Sequence, residues 1–224
     1  MKKTILIAPF NGPVAAAVAA EARAAGWTLA LALALAFARE PRSEAKESAD
    51  RESGDSFTLS YNPASFVSVS AMVHEARNAL GEIDAAVLVS DPAAVRADFT
   101  AGRPGELGAI VEEQCAGPLY LARELVRRFE ARKSGRLVLV APERPRDAAL
   151  GPIAALAAGA FEGLGEGLFT SAQGASWSAA GVLEASGLPE RAARFVLALL
   201  EEKRPSKTGR WIRYTGKSGI FGAT

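Results

Sequence analysis

Apolar and polar residues alternate in blocks along this chain. Runs of strand length, most of them apolar, recur at Ile5 to Ala8, Trp27 to Phe37, Phe57 to Tyr61, Ile83 to Val89, Leu137 to Ala141, Ser176 to Leu183 and Arg210 to Tyr214. Longer stretches with helical spacing separate most of them: Val14 to Ala25, Ala64 to Leu80, Ile110 to Arg132, Ile153 to Phe169 and Pro189 to Glu202. Gly26, Gly81 and Ser134-Gly135 stop three of these helices, and Asn62-Pro63 and Ser90-Asp91-Pro92 end two strands. Ile83 to Val89 is apolar apart from Asp84, as expected of a strand covered by helices on both faces. Strand followed by helix, repeated along the chain, predicts an α/β fold. We expect a Rossmann-like, doubly wound parallel sheet of about seven strands with right-handed crossovers, in one domain over residues 1–224.

Within the elements the spacing predicts buried faces. Ala64 to Leu80 sets Phe66, Val69, Val73 and Leu80 on one side, and His74 falls beside that stripe, at the surface rather than in a ligand role. In Ile110 to Arg132 a stripe runs through Val111, Cys115, Leu119, Ala122, Val126 and Phe129, broadened by Ile110 and Leu125, with a kink expected at Pro118. Cys115 sits inside the stripe, which makes it a buried thiol rather than a nucleophile. Ala93 to Gly108, with Pro104 and several glycines, reads as irregular. Arg39 to Ser56 is polar, of mixed charge and without an aromatic residue, and reads as a solvated, mobile loop or frayed helix rather than a binding segment.

Composition narrows the chemistry. Apolar residues make up 49% and charged residues 23%, and the net charge is +1, so no field invites nucleic acid or an anionic membrane. A single cysteine and a single histidine rule out an internal disulfide and any multi-Cys or multi-His metal site. Met1-Lys2-Lys3 before an apolar run suggests a secretory leader, but Pro9 to Pro13 interrupts it too early, and Leu29 to Ala38 is too short to span a bilayer. A cytoplasmic protein without metal is the expectation.

The first strand, turn and helix carry the sharpest signal. In a doubly wound fold this turn cradles a dinucleotide pyrophosphate with backbone amides at a helix N-terminus. Between Pro9 and Pro13 only Gly12 remains as a glycine, and proline offers no N–H.

Four stretches resemble the short-chain dehydrogenase/reductase family. Gly81-Glu82-Ile83-Asp84 leading into Ala85 to Val89 resembles the family's Gly-x-Ile-Asp approach to its fourth strand. Ser134-Gly135-Arg136-Leu137-Val138-Leu139-Val140 is similar to its Gly-Arg-Ile-Val fifth strand. Ala160-Phe161-Glu162-Gly163-Leu164 looks like the end of its active-site helix, and Lys207-Thr208-Gly209-Arg210-Trp211-Ile212 like the approach to its last strand.

The resemblance also implies which positions should hold chemistry, and they hold little. Against the family's Thr-Gly-x-x-x-Gly-x-Gly turn stand Ala8, Pro9, Pro13 and Ala15, the last adding a methyl where backbone and phosphate should meet. Its Asn-Asn-Ala-Gly becomes Ser90-Asp91-Pro92-Ala93, which sets a carboxylate near an anionic cofactor. The active-site Asn falls at Gln114, the Ser at Ala141, and the Tyr and Lys at Ala154 and Ala158. Hydride reduction of a carbonyl needs a proton donor at the developing alkoxide, and alanine has none. The lid after the sixth strand also looks too short, since Gly181 to Leu188 runs straight into Pro189.

The resemblance therefore implies a catalytically inactive relative without cofactor, working through its surfaces. Its expected partner is an active short-chain dehydrogenase paralogue in a hetero-oligomer, or a second copy. Contact would run through Ile110 to Arg132, Ile153 to Phe169 and the last strand; Ile153 to Phe169 is poor in polar residues. Two alternatives remain open. One is an NAD- or NADP-dependent oxidoreductase with a non-standard site among Tyr61, Asp91, Gln114 and Glu143. The other is a small-ligand module with an apolar pocket lined by Pro9, Phe10, Ala154 and Ala158.

Overall fold

The computed structural model describes residues 2–35, 55–92, 95, 98–143, 150–202 and 209–216. Strands β1 (Thr4–Ala8), β2 (Thr28–Ala34), β3 (Ser56–Tyr61), β4 (Ala85–Val89), β5 (Arg136–Pro142), β6 (Ser178–Glu184) and β7 (Trp211–Tyr214) form one sheet. It is seven-stranded, ordered β3-β2-β1-β4-β5-β6-β7, with every neighbouring pair parallel. The segment 39–56, expected to be a loop, lies outside the described residues except for Asp55 and Ser56, as does the expected end of β2 beyond Leu35.

Side chains alternate across the sheet, so each strand feeds two cores. Ile5 and Ile7 of β1 face helices α1 (Pro13–Ala24) and α6 (Pro189–Glu201), in a cluster with Leu29, Val87, Val140 and Val182. Leu6 and Ala8 face the opposite layer, made by α2 (Phe66–Leu80), α4 (Gly117–Arg132) and α5 (Pro152–Ser171), in a cluster with Leu88, Leu139, Phe129 and Phe161. Asp84 ties the layers together at the N-terminal edge. It accepts from the Thr4 amide at 2.9 Å and pairs with Arg132 of α4 at 3.0 Å.

The longest helix departs from the expected one. Pro104–Val111 is helical (α3), not irregular; Pro104 occupies the first turn, where its missing N–H costs nothing, and the Arg103 amide donates to Glu106. A π turn, Glu112–Ala116, joins α3 to α4, where a kink was expected. The Gly117 amide reaches back to the Glu112 carbonyl, an i→i−5 bond. A regular turn would leave the Gln114 carbonyl without its donor and press the Pro118 ring against it; one extra residue in the turn relieves both.

That inserted residue also rotates the faces. The buried face of α4 is Leu121, Ala122, Leu125 and Phe129, while Leu119 is 50% exposed and Val126 only partly buried. Cys115, expected in the core, is half-buried. On α2 the buried set is Val69, Met72, Val73 and Ala76; Phe66 lies at the surface edge-on to Tyr120, and His74 is exposed as expected.

Candidate functional site

In a sheet of this order the crevice opens where β1 and β4 part, at their C-terminal ends. The turn after β1 forms one side. Pro9 and Pro13 have no N–H, and the Phe10 amide donates to the Ala32 carbonyl. Gly12, with φ of 85°, caps α1 in the left-handed half of backbone space, where a Cβ would strain. After β4 the chain brings Asp91 across this turn: its Oδ2 is 3.9 Å from where a Cβ on Gly12 would sit. A carboxylate thus stands beside the N-terminus of α1, where the helix dipole and the fold's usual anion would meet.

The other side comes from β3 and the π turn. An Asx turn follows β3: the Asn62 side chain accepts from Ala64, the Ser68 hydroxyl accepts from Asn62, and the Ser65 hydroxyl caps α2. This fixes Pro63 against Gly117, whose Cβ would come 2.8 Å from the Pro63 ring. Only glycine admits that approach, and it draws the π turn over the end of β3. A cavity of about 340 Å³ results, walled by Tyr61, Asp91, Glu113, Gln114 and Phe161 with Ala8, Pro9, Leu88 and Leu121. A smaller chamber of about 170 Å³ adjoins it over β5 and β6; Asn11, Gly12, Ser90 and Asp91 line both.

The polar groups have separate electrostatic characters. Tyr61 is 2% exposed, and burial, assisted by the nearby charge of Glu113, raises its pKa far above the usual phenol value. Burial raises the Glu113 carboxyl too, against a Gln114 amide donating at 3.5 Å. Glu184, at the smaller chamber, is occupied by its own turn: it accepts from the Ser186 and Gly187 amides at 2.7 and 3.0 Å.

Of the sequence-predicted polar candidates, Tyr61, Asp91 and Gln114 meet in the larger cavity. Glu143 does not: it forms a two-point pair with exposed Arg213, one bond at 2.8 Å, which holds its carboxyl below the usual range. The expected apolar pocket is also revised. Pro9 lines the larger cavity, but Ala154 and Ala158 lie on the buried face of α5, outside that lining, and Phe10 packs on the α1–α6 core. Ala15 is fully buried in that same core, so its methyl fills the helix–sheet contact instead of the phosphate approach. Ala141 on β5 is 5% exposed and lines the smaller chamber. Glu113 is the residue sequence reasoning missed. In a straight helix it lies opposite the apolar stripe; the signal that displaces it is Pro118, five residues on.

Among the described residues no helix is long and apolar enough to cross a membrane, and no group of metal-binding side chains gathers. No protein-family model matches the chain, and no curated protein sequence matches it. Solved structures do. A Serratia marcescens short-chain dehydrogenase/reductase shares 16% identity, with 96% of each chain covered and a TM-score of 0.73. A Bacillus thuringiensis protein described as a 3-oxoacyl-reductase shares 16% identity over 96% of this chain and 98% of that one, with a TM-score of 0.73. An apo SCOR enzyme from Clostridium thermocellum shares 20% over 96% and 91%, again with a TM-score of 0.73. This chain has the short-chain dehydrogenase/reductase fold.

Proposed function

We propose that this chain is a catalytically inactive protein of the short-chain dehydrogenase/reductase fold, serving as a structural or regulatory subunit beside an active paralogue. The observation that carries the reading is the cofactor turn. Two of its five residues lack an N–H, a third amide is spent on Ala32, and Asp91 presents a carboxylate where a pyrophosphate would lie. The positions that the family resemblance assigns to proton transfer are Ala141, Ala154 and Ala158, and Gln114 replaces the Asn. Tyr61 is no substitute acid: its environment holds the proton on, whereas reduction needs it released. NAD or NADP belongs only to the alternative, an oxidoreductase with a relocated site. Titration of the purified chain with NADH and NADPH, followed by nucleotide fluorescence, is expected to show no saturable binding. Micromolar affinity for either would overturn the reading.

The surface suits association. The exposed face of α5 carries Leu156, Gly159, Gly163 and Gly167 together with Glu166, and apart from the helix's own neighbouring backbone no atom lies within 4 Å of where a Cβ on these glycines would sit. On α4, Leu119 is exposed at 50%. Glycine in an exposed helix costs up to about 1 kcal/mol relative to alanine, so a bare glycine stripe weakens the isolated chain. It lets a partner helix approach closely instead. The heterotetrameric 2-(α-hydroxybenzyl)succinyl-CoA dehydrogenase, with its inactive subunit, illustrates this kind of assembly.

Gly163→Ala should therefore raise the stability of the isolated chain by about 0.5–1 kcal/mol in urea denaturation. The same substitution, and more strongly Leu156→Arg, should weaken co-purification with the partner from the native host. If Gly163→Ala stabilises the chain and leaves the assembly intact, this face is not the interface.

A further inference from the structure

The geometry points to a ligand of opposite charge to a dinucleotide: a small organic cation, an ammonium group on an apolar body, held in the larger crevice cavity. Two carboxylates line that cavity, Asp91 and Glu113, and no lysine, arginine or histidine stands among its described lining residues. Neither carboxylate forms an ion pair with a described basic side chain; the hydrogen bond to Glu113 comes from the neutral Gln114 amide. A half-buried carboxylate without a counter-ion is costly, and a bound cation would supply the missing charge.

Tyr61 is the second, independent observation. Its side chain is 98% withdrawn from solvent (2% exposed) and lines the cavity, yet its hydroxyl makes no hydrogen bond to any described residue. That leaves the hydroxyl with its donor and acceptor uncommitted among the described residues, at the wall of the cavity. An ammonium group offers donors to that oxygen and to Glu113 together, and the charge of Glu113 is near enough to be felt at Tyr61. The remaining wall suits the rest of such a molecule. The Phe161 and Tyr61 rings attract a cation, and Ala8, Leu88, Pro118 and Leu121 are apolar. At about 340 Å³ the cavity lies near the lower end of the roughly 300–1,000 Å³ of ligand pockets, which fits a single-ring amine.

Three probes of one size and different charge test this on the full chain: benzylamine, benzyl alcohol and benzoate, titrated by calorimetry at pH 7. Benzylamine is expected to bind at least about tenfold more tightly than benzyl alcohol, with benzoate weakest. Glu113→Gln, nearly isosteric, should abolish the preference while leaving benzyl alcohol unchanged; Tyr61→Phe should reduce it in part. Asp91→Asn, at an exposed position, provides a second variant whose fold is not at risk, and it should narrow the gap between benzylamine and benzoate. Equal affinity for the three probes, a preference for benzoate, or no heat from benzylamine at about 10 mM would each overturn the proposal. None of these outcomes bears on the absence of nucleotide binding, which the NADH titration reads separately.

Discussion

Gly181→Ala is expected to destabilise the chain by about 2–4 kcal/mol, although it adds one methyl group to a strand. Gly181 of β6 pairs directly with Trp211 of β7, and the Trp211 indole lies across the strand in the space a side chain would fill. A Cβ on Gly181 would come 2.2 Å from Trp211 Cε3. The ring has nowhere to retreat. Its far edge is 2.5 Å from where a Cβ on Gly165 of α5 would sit, Phe161 and Phe169 pack against it, and its Nε1 donates to the Glu162 carbonyl at 3.3 Å. The same indole therefore sets how α5 lies on the sheet, and with it the direction in which the glycine stripe faces. Urea denaturation of Gly181→Ala, Trp211→Ala and the double variant forms a cycle that isolates the clash. The double variant should be less destabilised than the sum of the two by more than about 1 kcal/mol. Strict additivity would show that the methyl is accommodated elsewhere.

Glu124→Ala is the second large effect, at about 2–4 kcal/mol. Glu124 is 2% exposed between α2 and α4, pairs with Arg123 at 3.0 Å and Arg127 at 3.2 Å, and accepts from the Ser70 hydroxyl at 3.4 Å. It is also the counter-charge of a wider basic group. Arg128, whose pKa is lowered by burial and then by Arg77, is supported in its charged form by Glu124 and Glu82. Removing one carboxylate leaves these guanidinium groups facing one another. Their repulsion is screened by salt, so the loss of stability should be larger at about 0.02 M than at about 0.5 M salt. Glu124→Ala/Arg127→Ala should recover part of the loss. A salt-independent loss would assign the cost to lost packing rather than charge.

Much of this molecule was legible in one dimension. Most of the seven strands are apolar runs bounded by turn residues, and their alternation with helices dictates a parallel sheet whatever the side chains do. Pro9 and Pro13 announce a turn short of two amides because a missing N–H is a covalent fact. What depends on direction in space was not legible. Ala15 and the pair Ala154 and Ala158 are small residues whose facing only the packing of α1 and α5 decides. Glu143 sits next to a strand end as Asp91 does, but Arg213 from the last strand claims it, 70 residues away.

The π turn makes the point most sharply. Periodicity counts residues at about 100° each, and one inserted residue rotates everything before it relative to everything after it. The expected stripe therefore holds at Ala122, Leu125 and Phe129 but gives up Cys115 and Leu119 in favour of Leu121, and Glu113 turns into the crevice. The chain's composition and order determined the scaffold and a first turn that carries two prolines. Tertiary packing alone, of Pro63 on Gly117 and of Asp91 beside Gly12, decided that Asp91 and Glu113 line one crevice, because those contacts join segments that no local pattern connects.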